Sequence, residues 1–283
     1  MRSLPLANGT KSPSATQGNL RLLACIESGY PMPPLPEFPR AVCFDLYGTL
    51  VDISIDTESP KIWETLSVEL RSTGVSVEPR ALHYRYHKLV EAETNEHGQP
   101  FVLGSLFFFK LLSHGGRVLG GQKVRYFGSR FRALTTRRIK LKPFASELFH
   151  FLRSKACKLA IVSNTEEIVT SHDLDELDIR RHFDTVVLSS VVGVKKPEAR
   201  IFHLALRQLK VSARDCVFIG DDYNCDYLGS QCAGLRPVLL CDQEHHDHHH
   251  RHSDAFCVPP LLGQIVHAIE HCPTPSTRQP ISA

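Results

Sequence analysis

Five short apolar runs, most of which end at a small or acidic residue, constrain the fold of this 283-residue chain more than any other feature. Stretches with helical periodicity separate them, and this alternation predicts an α/β protein with a parallel sheet. The predicted strands cover residues 40–46, 158–163, 185–189, 215–219 and 237–241. Because ligands of such sheets bind beyond the carboxyl ends of the strands, we expect the residues at those ends to converge on one site.

The spacing of these runs is uneven. The later strands follow one another at about the length of one crossover helix, but residues 47–157 separate the first two, which is too long for a single crossover. Patterns typical of helices occur in that gap at 62–70, 79–93 and 105–112. The predicted organisation has a core of residues 40–53 and 139–272, a helical cap at 54–138, a flexible leader at 1–39 and a flexible tail at 273–283.

Composition limits the classes of function. The hydrophobic fraction of 42% and the charged fraction of 22% are typical of a soluble protein, and a net charge of +3 gives no reason to expect nucleic acid as a partner. No apolar stretch is long enough to cross a bilayer, so we expect no membrane association. The nine cysteines contain no C-x-x-C pair, and a cytoplasmic location is predicted, with organelle targeting by the leader as the alternative.

Two of the strand ends carry hydroxyl groups. Asp45 follows the first apolar run and is itself followed by Gly48 and Thr49, where glycine permits a tight turn and threonine offers a hydroxyl near an anion. Ser163 and Asn164 end the second run, where a small hydroxyl can hold a phosphate or carboxylate oxygen. Each pattern alone is also that of an ordinary turn, so neither decides a function by itself.

Two further strand ends carry charge. Lys195 and Lys196 precede Pro197, where a lysine can neutralise both a carboxylate and an anionic substrate. The last of these features is a cluster of three carboxylates within six residues, Asp221, Asp222 and Asp226. Like charges so close together repel one another unless a cation binds, so this segment by itself predicts a site for a hard cation.

In this order, the four features resemble the motifs of the haloacid dehalogenase superfamily of hydrolases, over about residues 40–272. The resemblance implies a Rossmann-like parallel sheet with an inserted α-helical cap. It also implies that Asp45 is a nucleophile that forms a covalent aspartyl intermediate, which water then hydrolyses. Ser163 and Lys196 would bind the oxygens of the transferred group, and Asp226 would orient Lys196 or a metal-bound water.

For a phosphatase of this superfamily, the resemblance implies Mg²⁺ as the cofactor and a small phosphorylated molecule as the substrate. The implied metal ligands are Asp45, the backbone carbonyl of Tyr47, Asp221 and the additional acid Asp222. The residues assigned to substrate are Thr49, Ser163, Asn164 and Lys196. The sequence does not indicate an oligomeric state.

Tyr47 departs from the phosphatase pattern. Most phosphatases of the superfamily have a second aspartate at this position, which protonates the leaving group, whereas a phenol with an ordinary pKa near ~10 is a poor base at neutral pH. Tyr47 therefore occupies the acid/base position. The presence of a tyrosine two residues after the nucleophile is similar to the motif of the metal-independent L-2-haloacid dehalogenases. Those dehalogenases lack the Gly-Asp motif that Gly220 and Asp221 provide here, so a Mg²⁺-dependent phosphatase is the favoured function.

Three alternatives stay open at this point. A dehalogenase-like hydrolase without metal fits Tyr47, and so does a non-catalytic member that binds a phosphorylated ligand or a protein. A phospho-accepting receiver domain fits the acids but not the long gap after the first strand.

The six histidines within residues 245–252 are interpreted as a surface loop that binds metal adventitiously, with a zinc site between Cys241 and Cys257 as the alternative.

Overall fold

A computed structural model of the protein describes residues 38–97, 105–113, 119–241 and 257–272. Residues 1–37 of the predicted leader, the tail and the histidine tract lie outside these residues. The described strands are β1 (Ala41–Phe44), β2 (Val51–Ile55), β3 (Thr136–Leu141), β4 (Lys158–Ser163), β5 (Thr185–Leu188), β6 (Cys216–Gly220), β7 (Arg236–Leu240) and β8 (Cys257–Val258).

Six of these strands form one sheet in the order β5-β4-β1-β6-β7-β8, and every neighbouring pair is parallel. The register places Phe44 beside Ile161 on one side and Ile219 on the other. The ends of β1, β4 and β6 therefore lie at the same edge of the sheet. The predicted α/β class with a Rossmann-like parallel sheet is confirmed.

Helices flank this sheet on both faces. The described α-helices are α1 (Pro60–Arg71), α2 (Pro79–His97), α3 (Ser105–Leu112), α4 (Gly121–Thr135), α5 (Ala145–Ser154), α6 (Glu167–Glu176), α7 (Ser189–Val192), α8 (Ala199–Leu209), α9 (Gly229–Cys232) and α10 (Leu262–His271). A π-helix covers Tyr223–Leu228, and short 3₁₀-helices cover Arg180–His182 and Ala213–Asp215.

The side chains of each central strand alternate between the two faces of the sheet. In β1, Val42 and Phe44 pack with α5 and α10, whereas Ala41 and Cys43 pack with α8. Because both faces are buried, the strand is apolar throughout rather than alternating apolar with polar. Each large apolar side chain that is fully buried in these layers stabilises the fold by about 1.5–3 kcal/mol.

The long gap after β1 contains a helical insertion, which we define as α1 to α4. The chain enters the insertion from β2 and leaves it through β3, and these two strands pair antiparallel outside the main sheet. Helices α1, α2, α3 and α4 share their own apolar core, in which Trp63 and Phe108 are fully buried. Ile168 and Val169 of α6 also join this apolar core, so the insertion packs against the helix that follows β4.

Some boundaries differ from the sequence prediction. Helix α4, strand β8 and the ribbon of β2 and β3 were not predicted. Cys241 and Cys257 form a disulfide across the β7–β8 end of the sheet, which the cysteine spacing did not predict. None of the helices in the described part of the chain has the length and apolarity to span a membrane.

Candidate active site at the ends of three parallel strands

Asp45 lies directly beyond β1, at the edge of the sheet where β4 and β6 also end. Its backbone N–H donates to the carbonyl of Ile219 at 3.0 Å, which extends the parallel pairing by one residue and fixes the start of the loop. The residue is only 7% exposed. A carboxylate held so far from water needs a partner, and β4 and the loop before α8 supply one each.

Both partners bind the same oxygen of Asp45. The hydroxyl of Ser163 donates to Oδ1 at 2.9 Å, and Nζ of Lys196 donates to it at 2.5 Å. In the described part of the chain both side-chain hydrogen bonds of Asp45 go to Oδ1, so Oδ2 is the oxygen left for a reaction. Burial alone would lower the pKa of Lys196, but the carboxylates around it outweigh burial and raise the pKa above its ordinary value.

Asp226 is the second carboxylate that Lys196 binds, at 2.6 Å from Nζ to Oδ1. Asp226 is 2% exposed, and burial raises its pKa above the usual range while Lys196 opposes the shift. The backbone N–H of Asp222 donates to its other oxygen at 3.1 Å. One cation therefore serves two buried carboxylates, and we call Asp45, Lys196 and Asp226 the catalytic-face cluster.

Asp221 adds a third carboxylate to this group. Carboxylate oxygens of Asp45, Asp221 and Asp226 all lie within 4.8 Å of one another. Burial and then the negative charge of Asp45 raise the pKa of Asp221, which is the expected sign for acids that repel one another. The hydroxyl of Thr49, which is fully buried, donates to Oδ1 of Asp221 at 2.6 Å.

Two glycines make this convergence possible. A Cβ atom on Gly48, whose φ is +86°, would lie 2.3 Å from an oxygen of Asp221, and one on Gly220 would lie 2.2 Å from an oxygen of Asp226. Any side chain at either position would displace a carboxylate from the group. The all-oxygen donor set, held against two bare backbone positions, suits a small hard divalent cation such as Mg²⁺.

Two of the other predicted site residues are engaged elsewhere. Asn164 exchanges two hydrogen bonds with the main chain of Lys196, at 2.7 and 3.0 Å, and so holds the loop that carries the lysine. Asp222 is exposed and accepts from the backbone N–H of Cys225 at 2.6 Å, as an N-cap of the π-helix. The structure thus brings Asp221 into the carboxylate group and leaves the side chain of Asp222 outside it.

The phenol of Tyr47 also points away from Asp45. Its hydroxyl donates to Oδ2 of Asp173 in α6 at 2.6 Å, and the guanidinium of Arg132 in α4 lies 5.4 Å from the centre of its ring. Burial raises the pKa of Tyr47 well above its ordinary value. A phenol that is buried and bound to a carboxylate in this way is not prepared to exchange protons at neutral pH.

Arg132 and Asp173 are the site-adjacent residues that the sequence reasoning missed. Two guanidinium nitrogens of Arg132 donate to Asp173, at 2.5 to 3.1 Å, and both residues are buried. We call Arg132, Asp173 and Tyr47 the insertion-face cluster, because Arg132 belongs to the helical insertion. A charged residue in an amphipathic helix is usually on the solvent face, so the sequence held no signal for this pair.

Most of the chain matches one known family. The sequence profile of the haloacid dehalogenase-like hydrolases matches residues 39–234, which is well over half of the chain. The chain belongs to this family. The four motif regions that carried the resemblance all lie within the matched residues.

Individual relatives are more distant. A haloacid dehalogenase-like hydrolase domain-containing protein 3 of Mus musculus is 41% identical over 96 residues, 32% of this chain and 36% of the relative. A glyceraldehyde 3-phosphate phosphatase of Methanothermobacter thermautotrophicus is 38% identical over 89 residues, 31% of this chain and 39% of the relative. The chain thus aligns with little more than a third of the length of these curated relatives.

A solved structure supports the fold. The HAD phosphatase from Thermococcus onnurineus superposes with a TM-score of 0.55 at 21% identity, over 82% of this chain and 98% of that one. At this identity the likeness concerns the fold alone.

Proposed function

We propose that this family member is a Mg²⁺-dependent phosphatase that hydrolyses small phosphate esters through an aspartyl-phosphate intermediate. The observation that carries the proposal is the convergence of Asp45, Asp221 and Asp226 around one lysine. Two buried acids, Asp45 and Asp226, with a third acid beside them and a single cation are costly to hold unless a further cation binds there. That a relative of this chain is named a glyceraldehyde 3-phosphate phosphatase supports phosphate esters as the substrate class.

In the first step, Oδ2 of Asp45 attacks phosphorus, so that an Asp–O–P bond forms while the bond to the leaving oxygen breaks. The hydroxyl of Ser163 and the ammonium of Lys196, which both contact Oδ1 of Asp45, would bind oxygens of the phosphoryl group as its charge redistributes. Water then attacks the aspartyl phosphate, releases inorganic phosphate and regenerates Asp45.

Mg²⁺ would be held by Asp45 and Asp221, with the backbone carbonyl of Tyr47 as the further ligand that the resemblance implies. When bound, it supplies charge neutralisation at the phosphoryl group. Thr49 orients Asp221 through its hydroxyl, and Asp226 holds the ammonium of Lys196 beside Asp45. Each of these side chains thus has one defined task in binding or orientation.

The leaving oxygen has no side-chain acid at position 47. Because the phenol of Tyr47 is committed to Asp173, we assign Tyr47 a structural role and infer that the enzyme prefers substrates whose leaving group departs without a proton. A general acid accelerates such a reaction about 10²–10⁴-fold. Compared with an enzyme that has a general acid, this one should hydrolyse alkyl phosphates more slowly, relative to aryl and acyl phosphates, than the difference in leaving-group acidity explains.

We also propose that the helical insertion is a cap that selects substrates.

The test is a hydrolysis assay of the purified full-length chain with p-nitrophenyl phosphate, acetyl phosphate and an alkyl phosphate, with Mg²⁺ and with EDTA. We expect phosphate release that EDTA abolishes and that Asp45→Asn reduces at least about 10³-fold. Asp221→Asn should lose the response to Mg²⁺. Asp222→Asn is the matched control, because asparagine keeps the N-cap, and it should retain activity.

The same assay separates the alternatives. Tyr47 is the observation that favours a dehalogenase, so L-2-chloropropionate is included; halide release that EDTA does not affect would establish that activity instead. If the chain turns over none of these substrates, and a phosphate analogue binds wild type and Asp45→Asn equally, the chain is a binding protein and the proposal is wrong.

A further inference from the structure

A second group of metal-ligating side chains lies on the helical insertion and has no part in the reaction proposed above. His83 and His87 are four residues apart in α2 and therefore lie on the same face of that helix. Glu58 belongs to residues 56–59, the linker between β2 and α1, and faces both histidines. One ligand atom from each of the three residues lies within 4.8 Å of the others.

The contacts within this group converge on one point. The two Nε2 atoms are 2.7 Å apart, and Nε2 of His87 lies 3.3 Å from Oε1 of Glu58. Nε2 of His83 lies 3.6 Å from Oε2 of the same carboxylate. Both imidazoles thus turn the same nitrogen toward the carboxylate and toward each other, so the three side chains face one point.

The neighbours of the two rings hold them in these orientations. The ring of His83 lies 4.9 Å from that of Trp63, tilted by 34°, and the ring of His87 lies 5.3 Å from that of Tyr86, edge-on. Trp63 and Tyr86 belong to the buried core of the insertion and pack against each other. Because aromatic packing orients the imidazoles in advance, binding an ion costs little side-chain entropy.

The linker is held as well. The backbone N–H of Glu58 donates to Oδ1 of Asp56 at 2.8 Å, and Arg137 in β3 binds the other oxygen of Asp56. The carbonyl of Thr57 accepts from the indole N–H of Trp63 at 2.8 Å. These bonds fix the main chain on both sides of Glu58 and hold the linker beside α2.

We propose that Glu58, His83 and His87 bind a divalent transition metal ion of the Zn²⁺ class. Two imidazole nitrogens and one carboxylate are a recognised ligand set for Zn²⁺, with water completing the coordination. Imidazole selects Zn²⁺, Co²⁺, Ni²⁺ and Cu²⁺, whereas Mg²⁺ prefers the oxygen ligands of the Asp45 group. The two sites therefore take different metals.

The position of this site indicates what the ion does. Glu58 belongs to the linker that leads from the ribbon into the insertion, and both histidines belong to the second helix of the insertion. A bound ion ties the linker to α2. The ion thereby stiffens the point at which the insertion leaves the sheet, with no contact to the reacting carboxylate.

The chain carries a built-in probe for this site. Trp63 is the one tryptophan in the sequence, and its ring lies 4.9 Å from that of His83. Co²⁺ is a suitable test ion because its open d shell quenches nearby indole emission, whereas Zn²⁺ does not and can displace it. The full-length chain is used with the six histidines of 245–252 changed to alanine, so that this tract does not compete.

We expect Co²⁺ to quench Trp63 emission with a single saturable phase that Zn²⁺ reverses. Glu58→Gln and His87→Ala should each raise the Kd for Co²⁺ at least about tenfold, since the loss of even an orienting partner outside the coordination sphere costs that much. Both side chains are well exposed, at 68% and 46%, so neither change should disturb folding.

His271→Ala is the matched control. His267 and His271 in α10 are also four residues apart, and their rings are 4.1 Å apart. Among the described residues, however, they belong to neither group of three metal-ligating side chains. His271→Ala and Asp221→Asn should leave the quenching curve unchanged. Absence of quenching at millimolar Co²⁺ would overturn the proposal. So would quenching curves of Glu58→Gln and His87→Ala that match the curve of the chain with Glu58 and His87 intact.

Discussion

The loop after β1 sends two side chains, two residues apart, into two different buried ionic clusters. Asp45 joins the catalytic-face cluster with Lys196 and Asp226, and Tyr47 joins the insertion-face cluster with Arg132 and Asp173. Each cluster has one cation, and each is shielded from water. They differ in how many negative charges that cation must serve.

In the insertion-face cluster the charges balance. Arg132 meets one carboxylate through two nitrogens, and that carboxylate also accepts from the neutral phenol of Tyr47 and lies 3.4 Å from Nδ1 of His172. In the catalytic-face cluster one lysine serves Asp45 and Asp226, and Asp221 lies beside them. Burial raises the pKa of both Asp221 and Asp226. Under the proposed function, the unbalanced cluster is the one that takes a cation and an anionic substrate, and the balanced one links a helix of the insertion to a helix of the core.

The largest effect is expected from Lys196→Met. Removal of the ammonium leaves the buried carboxylates of Asp45 and Asp226 without a counter-charge, which should lower the free energy of unfolding by about 3–5 kcal/mol. Phosphate release should fall by at least about 10²–10³-fold, because a donor to the phosphoryl oxygens is lost. Urea unfolding and a steady-state assay measure the two effects.

The neighbouring lysine provides the control for that change. Lys195 is exposed, so Lys195→Met should leave both the stability and the activity of the chain within experimental scatter. Equal losses of activity in the two variants would contradict the assignment of Lys196 to the site.

Arg132→Met is expected to separate stability from activity. It leaves Asp173 buried without its cation and should lower the free energy of unfolding by about 3–5 kcal/mol, measured by urea unfolding. At a temperature where the variant is folded, kcat for phosphate release should stay within about tenfold of wild type, because Arg132 does not contact Asp45.

Two further variants test whether the unpaired charge of Asp173 causes the expected loss of stability. Arg132→Met combined with Asp173→Asn removes both charges and should recover part of the lost stability. Arg138→Met removes an exposed partner of Asp52 and should cost no more than about 1 kcal/mol. Failure of the double variant to recover any stability would show that packing, rather than an unpaired charge, holds the insertion here.

The same contrast explains what the sequence could predict. The strands of the main sheet are buried on both faces, so β4 was predicted at its observed bounds, and the ends of β1, β5, β6 and β7 were predicted within one or two residues. Strands β2 and β3 carry charged side chains and lie half-exposed, and their pairing depends on residues far apart in the sequence. No local pattern could show that pairing.

The site divides in the same way. Asp45 follows β1 and Ser163 ends β4, whereas Lys196 lies in the loop after α7 and Asp226 in the π-helix after β6. All four lie beyond the carboxyl ends of parallel strands, where the topology of the sheet predicts that they meet. The direction of the Tyr47 side chain could not be predicted, because Arg132 and Asp173 lie on two helices whose contact is set only by tertiary packing. The contact between Glu58 and α2 could not be predicted either, because Glu58 lies in the linker before α1 and its contact with α2 is set by tertiary packing.

Tyr47→Phe tests the smaller of the two links within the insertion-face cluster. Loss of a hydrogen bond to the carboxylate of Asp173 should lower the free energy of unfolding by about 1.5–3 kcal/mol in urea. Activity and its pH profile should be unchanged, because the phenol takes no part in proton transfer. Tyr84→Phe, at an exposed residue, is the control and should change neither quantity. A shifted pH profile in Tyr47→Phe would instead place the phenol in the acid/base step.

Thr49→Val should give the smallest effect, and one confined to the metal. Thr49 belongs to the same loop as Tyr47, but its hydroxyl donates to Asp221, which lies beside the catalytic-face cluster. Loss of the hydroxyl should leave that carboxylate less well oriented, but it leaves no charge unpaired. We expect the Mg²⁺ concentration for half-maximal phosphate release to rise about 10–100-fold, with kcat at saturating Mg²⁺ nearly unchanged. Thr49→Ser keeps the hydroxyl and should respond to Mg²⁺ as wild type does. A fall in kcat that added Mg²⁺ cannot restore would mean that Thr49 acts on the substrate and not through Asp221.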